Sequence, residues 1–115
     1  MHRYATSFEE YVGIIATESP HAVIMDWGRR LNLALDHYFK ELGERRGKWN
    51  EVERRIASDP KLGSDVVAKL RELRLMRNAV AHEDVGPLSR EAAIRYAEDA
   101  FQLIGALTFL EPLAR

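Results

Sequence analysis

The sequence predicts an all-α fold, a single small helical bundle of four to five helices, and three observations carry that expectation. Apolar residues recur at spacings of three and four along most of the chain, the period of a helix with one buried face. Valine and isoleucine never alternate with polar residues over a strand length, and the Asn-Gly and Asp-Gly pairs that close β-hairpins are missing. Helix-start chemistry, a serine followed by a proline or by an acid three residues on, precedes several of the periodic stretches. At 115 residues, 46% hydrophobic and 30% charged, residues 1–115 make one domain with a real core and not two.

The first predicted helix follows Ser7, where "SFEE" places Glu10 three residues past a serine cap, and it ends near Thr17. The second begins at Ser19, with Pro20 at the first helical position, where a missing N–H removes no hydrogen bond. Ile24, Trp27, Leu31, Leu35, Tyr38 and Leu42 form its inner stripe, and Gly43 stops it. A shorter helix is expected over "NEVERRIAS", with Asn50 and Glu53 in capping-box positions and Val52 and Ile56 facing inwards. The fourth is capped by Ser64 and stops near "HEDVGP", where Gly86 and Pro87 cannot continue it.

The fifth predicted helix is capped by Ser89 and reaches the neighbourhood of Leu110. It carries two apolar stripes, Ile94, Ala97, Phe101 and Ile104 on one, and Tyr96, Ala100, Leu103, Leu107 and Leu110 on the other. One stripe faces the core; the other faces either a partner, as in a homodimer, or the neighbouring helices of the same bundle.

The chemistry concentrates in the fourth helix, within "LRELRLMRNAVAHEDVGP". At about 100° per residue, Val66, Leu73, Val80 and Ala81 fall within roughly 80° of Leu70, and Arg77 lies about 20° from it. A permanent charge therefore stands near the centre of the apolar arc. Asn78 and His82, four residues apart, share a face at the edge of that arc with Arg71 and Leu75, and Arg74 lies between them and its centre. A guanidinium, an amide and an imidazole are thus expected to converge on one groove, made locally positive by Arg74 and Arg71, the candidate substrate-binding residues. Each also has a structural explanation: Arg77 can pair with a buried acid, His82 can cap a helix end, and Asn78 can bond to a neighbouring backbone.

The stretch "RNAVAH" resembles the signature of the HEPN superfamily, an Arg usually followed by a polar residue such as Asn, then a His after a spacer of four to six residues; here Asn78 to Ala81 are the spacer. The layout is similar as well. HEPN domains are small helical bundles of about this length, with the motif near the end of a late long helix, leucine-rich turns before it and an apolar helix after it. The resemblance implies an HEPN-like fold that dimerises so that both motifs face one cleft. It implies a metal-independent endoribonuclease of toxin-antitoxin or defence type, with RNA as substrate and, in toxin systems, a nucleotidyltransferase-type antitoxin as partner. In such an enzyme Arg77 stabilises the charge of a phosphorane-like transition state, His82 moves the proton, and Asn78 orients the phosphate or the imidazole.

That division of labour matches the chemistry. Cleavage through the 2′-hydroxyl needs a proton acceptor, a donor for the leaving oxygen and fixed positive charge on the non-bridging oxygens. Histidine titrates near working pH and arginine offers a permanently charged fork for phosphate. The same resemblance also covers a non-catalytic HEPN module that binds a nucleotide, a nucleic acid or a partner protein. Outside it stands a plain helical adaptor whose Arg77 is a structural ion pair.

Other classes are excluded. Seventeen Lys and Arg against eighteen Asp and Glu leave a net charge of −1, so nucleic acid must meet a local patch and not a global field. The lack of cysteine rules out disulfides, thiol catalysis and Cys-based zinc sites. His82 beside Glu83, and His37 beside Asp36, diverge by about 100° on a helix and cannot chelate as a pair. With no glycine-rich phosphate loop and no Ser-His-Asp arrangement, neither a metal nor a cofactor is expected. The basic runs "ERRGK" and "ERR" read as solvated surface, and Trp49 as packing on Val52 or Ile56. No apolar stretch follows the N-terminal basic residues and none approaches a membrane span, so a cytoplasmic protein is expected.

Overall fold

The computed structural model describes residues 19–83 and 85–108, and among these every regular element is a helix. In chain order they are α1 (Pro20–Glu41), α2 (Trp49–Ala57), α3 (Gly63–Ala81) and α4 (Arg90–Thr108). The helix expected to end near Thr17 lies outside the described residues, as does Leu110. None of the described helices is long and apolar enough to cross a membrane.

Two helix starts follow the chemistry read from the sequence. The Ser19 hydroxyl accepts the Ala22 N–H at 3.1 Å with Pro20 at the first turn, and the Ser89 hydroxyl accepts the Ala92 N–H at 3.0 Å. α1 ends as expected too, with Gly43 in the left-handed region at φ +73°, where a Cβ would be strained. Two other starts differ. Ser64 does not cap α3; the helix begins at Gly63, and the backbone N–H groups of Leu62 and Gly63 donate to the Asp59 carbonyl at 3.0 and 3.1 Å. α2 opens at Trp49, not Asn50, with the Glu51 carboxylate accepting the Lys48 N–H at 3.3 Å. The far end of α3 falls at "HEDVGP" as expected, with His82 as its C-cap and Glu83, ahead of Gly86, in the left-handed region at φ 57°.

The core forms where the three long helices meet. α1 buries Ile24, Trp27, Leu31, Leu35 and Tyr38 as its period requires, while Leu42, at the helix end, is exposed. α3 contributes Val67, Leu70, Leu73 and Val80, and α2 closes over it with Val52 and Ile56, both fully buried. Of the two stripes on α4, the one carrying Tyr96, Ala100, Leu103 and Leu107 is buried, joined by Ala93 and Ala97. The other leaves Phe101 52% exposed, its ring edge-on to Trp27.

One buried polar contact ties the α2–α3 turn to α1. The Tyr38 hydroxyl donates to the Asp59 carboxylate at 2.6 Å, and the other Asp59 oxygen accepts the Lys61 N–H at 3.0 Å. Burial alone would push the Asp59 carboxyl up, but these two donors outweigh it and hold it below its ordinary value. The same burial, with the carboxylate beside it, raises the Tyr38 hydroxyl. Glu53 on α2 is likewise held low, chiefly by hydrogen bonding from Arg71 on α3.

Because both carboxyls titrate lower folded than unfolded, their stabilising contribution is complete above the unfolded value of about 4 and is lost as pH falls through the folded values. Urea midpoints should therefore be level down to about pH 5 and fall below it. Tyr38→Phe should lose about 1 kcal/mol at neutral pH and shed part of that acid sensitivity; an unchanged acid limb would contradict the role given to Asp59.

Candidate functional site

The side chain that sets the site is Arg77. Leu70, Leu73 and Val80 turn the face of α3 towards the core, and the helical period carries Arg77 with them, so its stem enters the seam between α1 and α4. Room for it exists because α1 has a glycine there. A Cβ built on Gly28 would stand 2.9 Å from Arg77 Cγ and 3.0 Å from the Tyr96 hydroxyl oxygen. An alanine, ordinarily the better helix former, would collide with both.

Around the arginine opens a cleft of about 130 Å³. α1 supplies Gly28 and Asn32, the α1–α2 loop Arg46, α2 Trp49, α3 Arg74, Arg77 and Asn78, and α4 Tyr96, with Leu31, Leu35 and Leu70 as the apolar lining. Arg46 and Arg74 are both mounted on the Trp49 indole, each guanidinium carbon 5.0 Å from the ring centroid. The indole thus holds two cations from different elements in one place. Arg46 is further tied down from α1: its guanidinium donates to the Asn32 side-chain oxygen at 2.7 Å, to the Asn32 backbone carbonyl at 3.2 Å and to Asp36 at 2.8 Å. Asn32 in turn donates to the Gly28 carbonyl at 3.1 Å, which fixes its amide.

The electrostatics of the cleft are one-sided. Among the described residues three arginines line it and no carboxylate does. Arg74 reaches Glu53 only at 3.5 Å, whereas Arg71 grips the same carboxylate at 2.7 Å. The Nε atoms of Arg74 and Arg77 are buried and have no hydrogen-bond partner. A buried charged donor left unpaired costs on the order of 1–3 kcal/mol, so two in one cleft call for an acceptor that the described residues do not provide. Burial pushes the Tyr96 hydroxyl up to about 12, although the Arg77 charge pulls the other way, so it stays protonated across the physiological range. Together these groups can receive an oxyanion: charge, N–H donors and a hydroxyl in a partly apolar hollow.

The residues singled out in the sequence separate into two sets. Arg77, Asn78 and Arg74 line the cleft. His82 does not; it is the exposed C-cap of α3, one turn beyond Asn78 and about 6 Å further along the axis. Arg71 is turned outwards onto Glu53. The buried acid that a purely structural Arg77 requires is absent among the described residues. Four contributors were missed from the sequence. Gly28, Asn32 and Tyr96 sit within ordinary helical stripes, and Arg46 sits in a run that reads as solvated surface. Trp49, expected to pack on Val52 or Ile56, does pack against the core that includes them and also carries the two guanidinium groups.

No group of three or more His, Asp or Glu side chains among the described residues is placed to hold a metal ion. Comparison with protein-family models, with curated proteins and with solved structures found no match.

Gly28→Ala tests the packing of the site. In an unencumbered helix the change would add up to about 1 kcal/mol, but here the methyl must displace the Arg77 stem, so a net loss of about 1–3 kcal/mol is expected in urea unfolding. A gain in stability would show that Arg77 is not held against α1.

Proposed function

We propose that this chain is an HEPN-type protein that acts on RNA, a metal-independent endoribonuclease working as a homodimer. The observation that carries the proposal is Arg77: a charge seated in a cleft that no acid among the described residues lines, beside Asn78, with an Nε that none of them partners. An RNA phosphate supplies the missing acceptor, and the charge that grows on its oxygens during attack by the 2′-hydroxyl falls where the guanidinium stands. His82, exposed at the end of the same helix, is free to transfer protons at a cleft shared with a second copy. Exposed Leu33, Leu75 and Phe101 offer apolar surface for such a copy. In a toxin system the further partner would be a nucleotidyltransferase-type antitoxin.

A second reading is favoured by the position of His82. Since the imidazole does not line the cleft that holds Arg77, the same site suits a non-catalytic HEPN module that binds a nucleotide, a nucleic acid or a partner protein.

Incubation with a long RNA in EDTA separates the two. Nuclease action should release fragments ending in cyclic or 3′-phosphate, and His82→Ala or Arg77→Met should slow cleavage by about 100-fold or more. Intact RNA that is nonetheless retained by the wild-type chain would replace the enzyme with the binding module.

A further inference from the structure

We infer that the cleft is a pocket for one phosphate group, with Arg46 and Arg74 on the Trp49 indole as its recognition element beside Arg77. The origin of that phosphate in RNA rests on the function proposed above; its chemistry does not.

Four observations converge. The three arginines come from the α1–α2 loop and from α3, and among the described residues no acid lines the cleft with them, which favours an anionic occupant. Two buried Nε–H donors wait without acceptors, and the Tyr96 hydroxyl adds a neutral donor that stays protonated. The hollow, about 130 Å³, has room for a five-atom tetrahedral oxyanion. Finally, the cations are held in advance. Asn32 and Asp36 anchor Arg46, and Trp49 positions both it and Arg74, so little rotamer freedom remains to be lost on binding. A tetrahedral dianion approached by three guanidinium groups uses this arrangement more fully than a flat, singly charged carboxylate does.

Thermal unfolding of the full chain in inorganic phosphate is the test, with sodium chloride at matched ionic strength and sodium acetate as controls. Phosphate at ten or more times its Kd should raise the Tm by about 4 °C or more above both controls. Arg77→Met, which keeps the apolar stem, should fold and lose the phosphate-specific rise; Arg74→Gln carries the same test should the first variant not fold. Trp49→Leu should lose part of the rise by removing the indole that positions Arg74, while Asn32 and Asp36 still hold Arg46. His82→Ala should keep all of it, whatever happens to RNA cleavage, so the pocket and the nuclease fail separately. A rise no larger than in chloride or acetate overturns the pocket, as does a full rise in Arg77→Met and Arg74→Gln.

Competition by short RNAs then identifies the source. Displacement of phosphate by a 5′-phosphorylated oligonucleotide and not by its 5′-hydroxyl twin supports the pocket as a reader of chain ends. Displacement by both supports it as a seat for backbone phosphates. Displacement by neither leaves free phosphate as the occupant, keeping the pocket and removing RNA from it.

Discussion

A guanidinium on the inward face of a helix makes two demands on its neighbours: space for a long apolar stem, and something negative or wet for the head. The fold meets the first and leaves the second open. Gly28 clears α1 where the Arg77 stem crosses it, and Tyr96 from α4 closes the seam on the other side. No carboxylate among the described residues completes the charge. That imbalance organises the surroundings, because every other group lining the cleft is apolar, neutral or cationic.

The remaining cations are arranged so that their mutual repulsion is bearable. The Trp49 ring presents electron density to both Arg46 and Arg74, and each meets a carboxylate, Asp36 for the first and Glu53 for the second. Neither of those two acids lines the cleft. Glu53 does double duty, since its firmer bond is to Arg71, which clamps α2 onto α3 and so holds Trp49 in place. Acid that protonates Glu53 would loosen that clamp and the site with it. The local cost is carried by an otherwise ordinary core, where Ile24, Leu35, Val52, Ile56, Leu70 and Val80 are almost wholly buried.

How far this could be read from the sequence differs from one residue to the next. Ser19 and Ser89 were legible as caps because capping is local chemistry, decided within one turn. Arg77 was legible as a misfit because a charge inside an apolar period shows in the period itself. Ser64 misled for a long-range reason: the start of α3 is set by the Asp59 turn, which Tyr38 anchors from another helix. The end of α3 at "HEDVGP" was legible too, although it is Glu83, and not Gly86, that takes the left-handed turn directly after the exposed His82. Arg46 and Trp49 were illegible as site residues, since only packing brings a loop arginine and an α2 indole against α3. Gly28 was overlooked because a glycine within a helix looks like a weakness until the side chain it admits is known.

The state of the Arg77 head group in the free protein decides whether the cleft awaits an anion, and heteronuclear NMR of the arginine Nε–Hε groups reads that state directly. Without added anion, the Hε protons of Arg74 and Arg77 should be shielded from solvent yet resonate as weakly hydrogen-bonded groups. On titration with inorganic phosphate they should move downfield while Hε of the exposed Arg29 stays still. An Arg77 Hε already shifted as in a carboxylate ion pair, and unmoved by phosphate, would mean that the charge is answered within the protein and that the cleft awaits no anion.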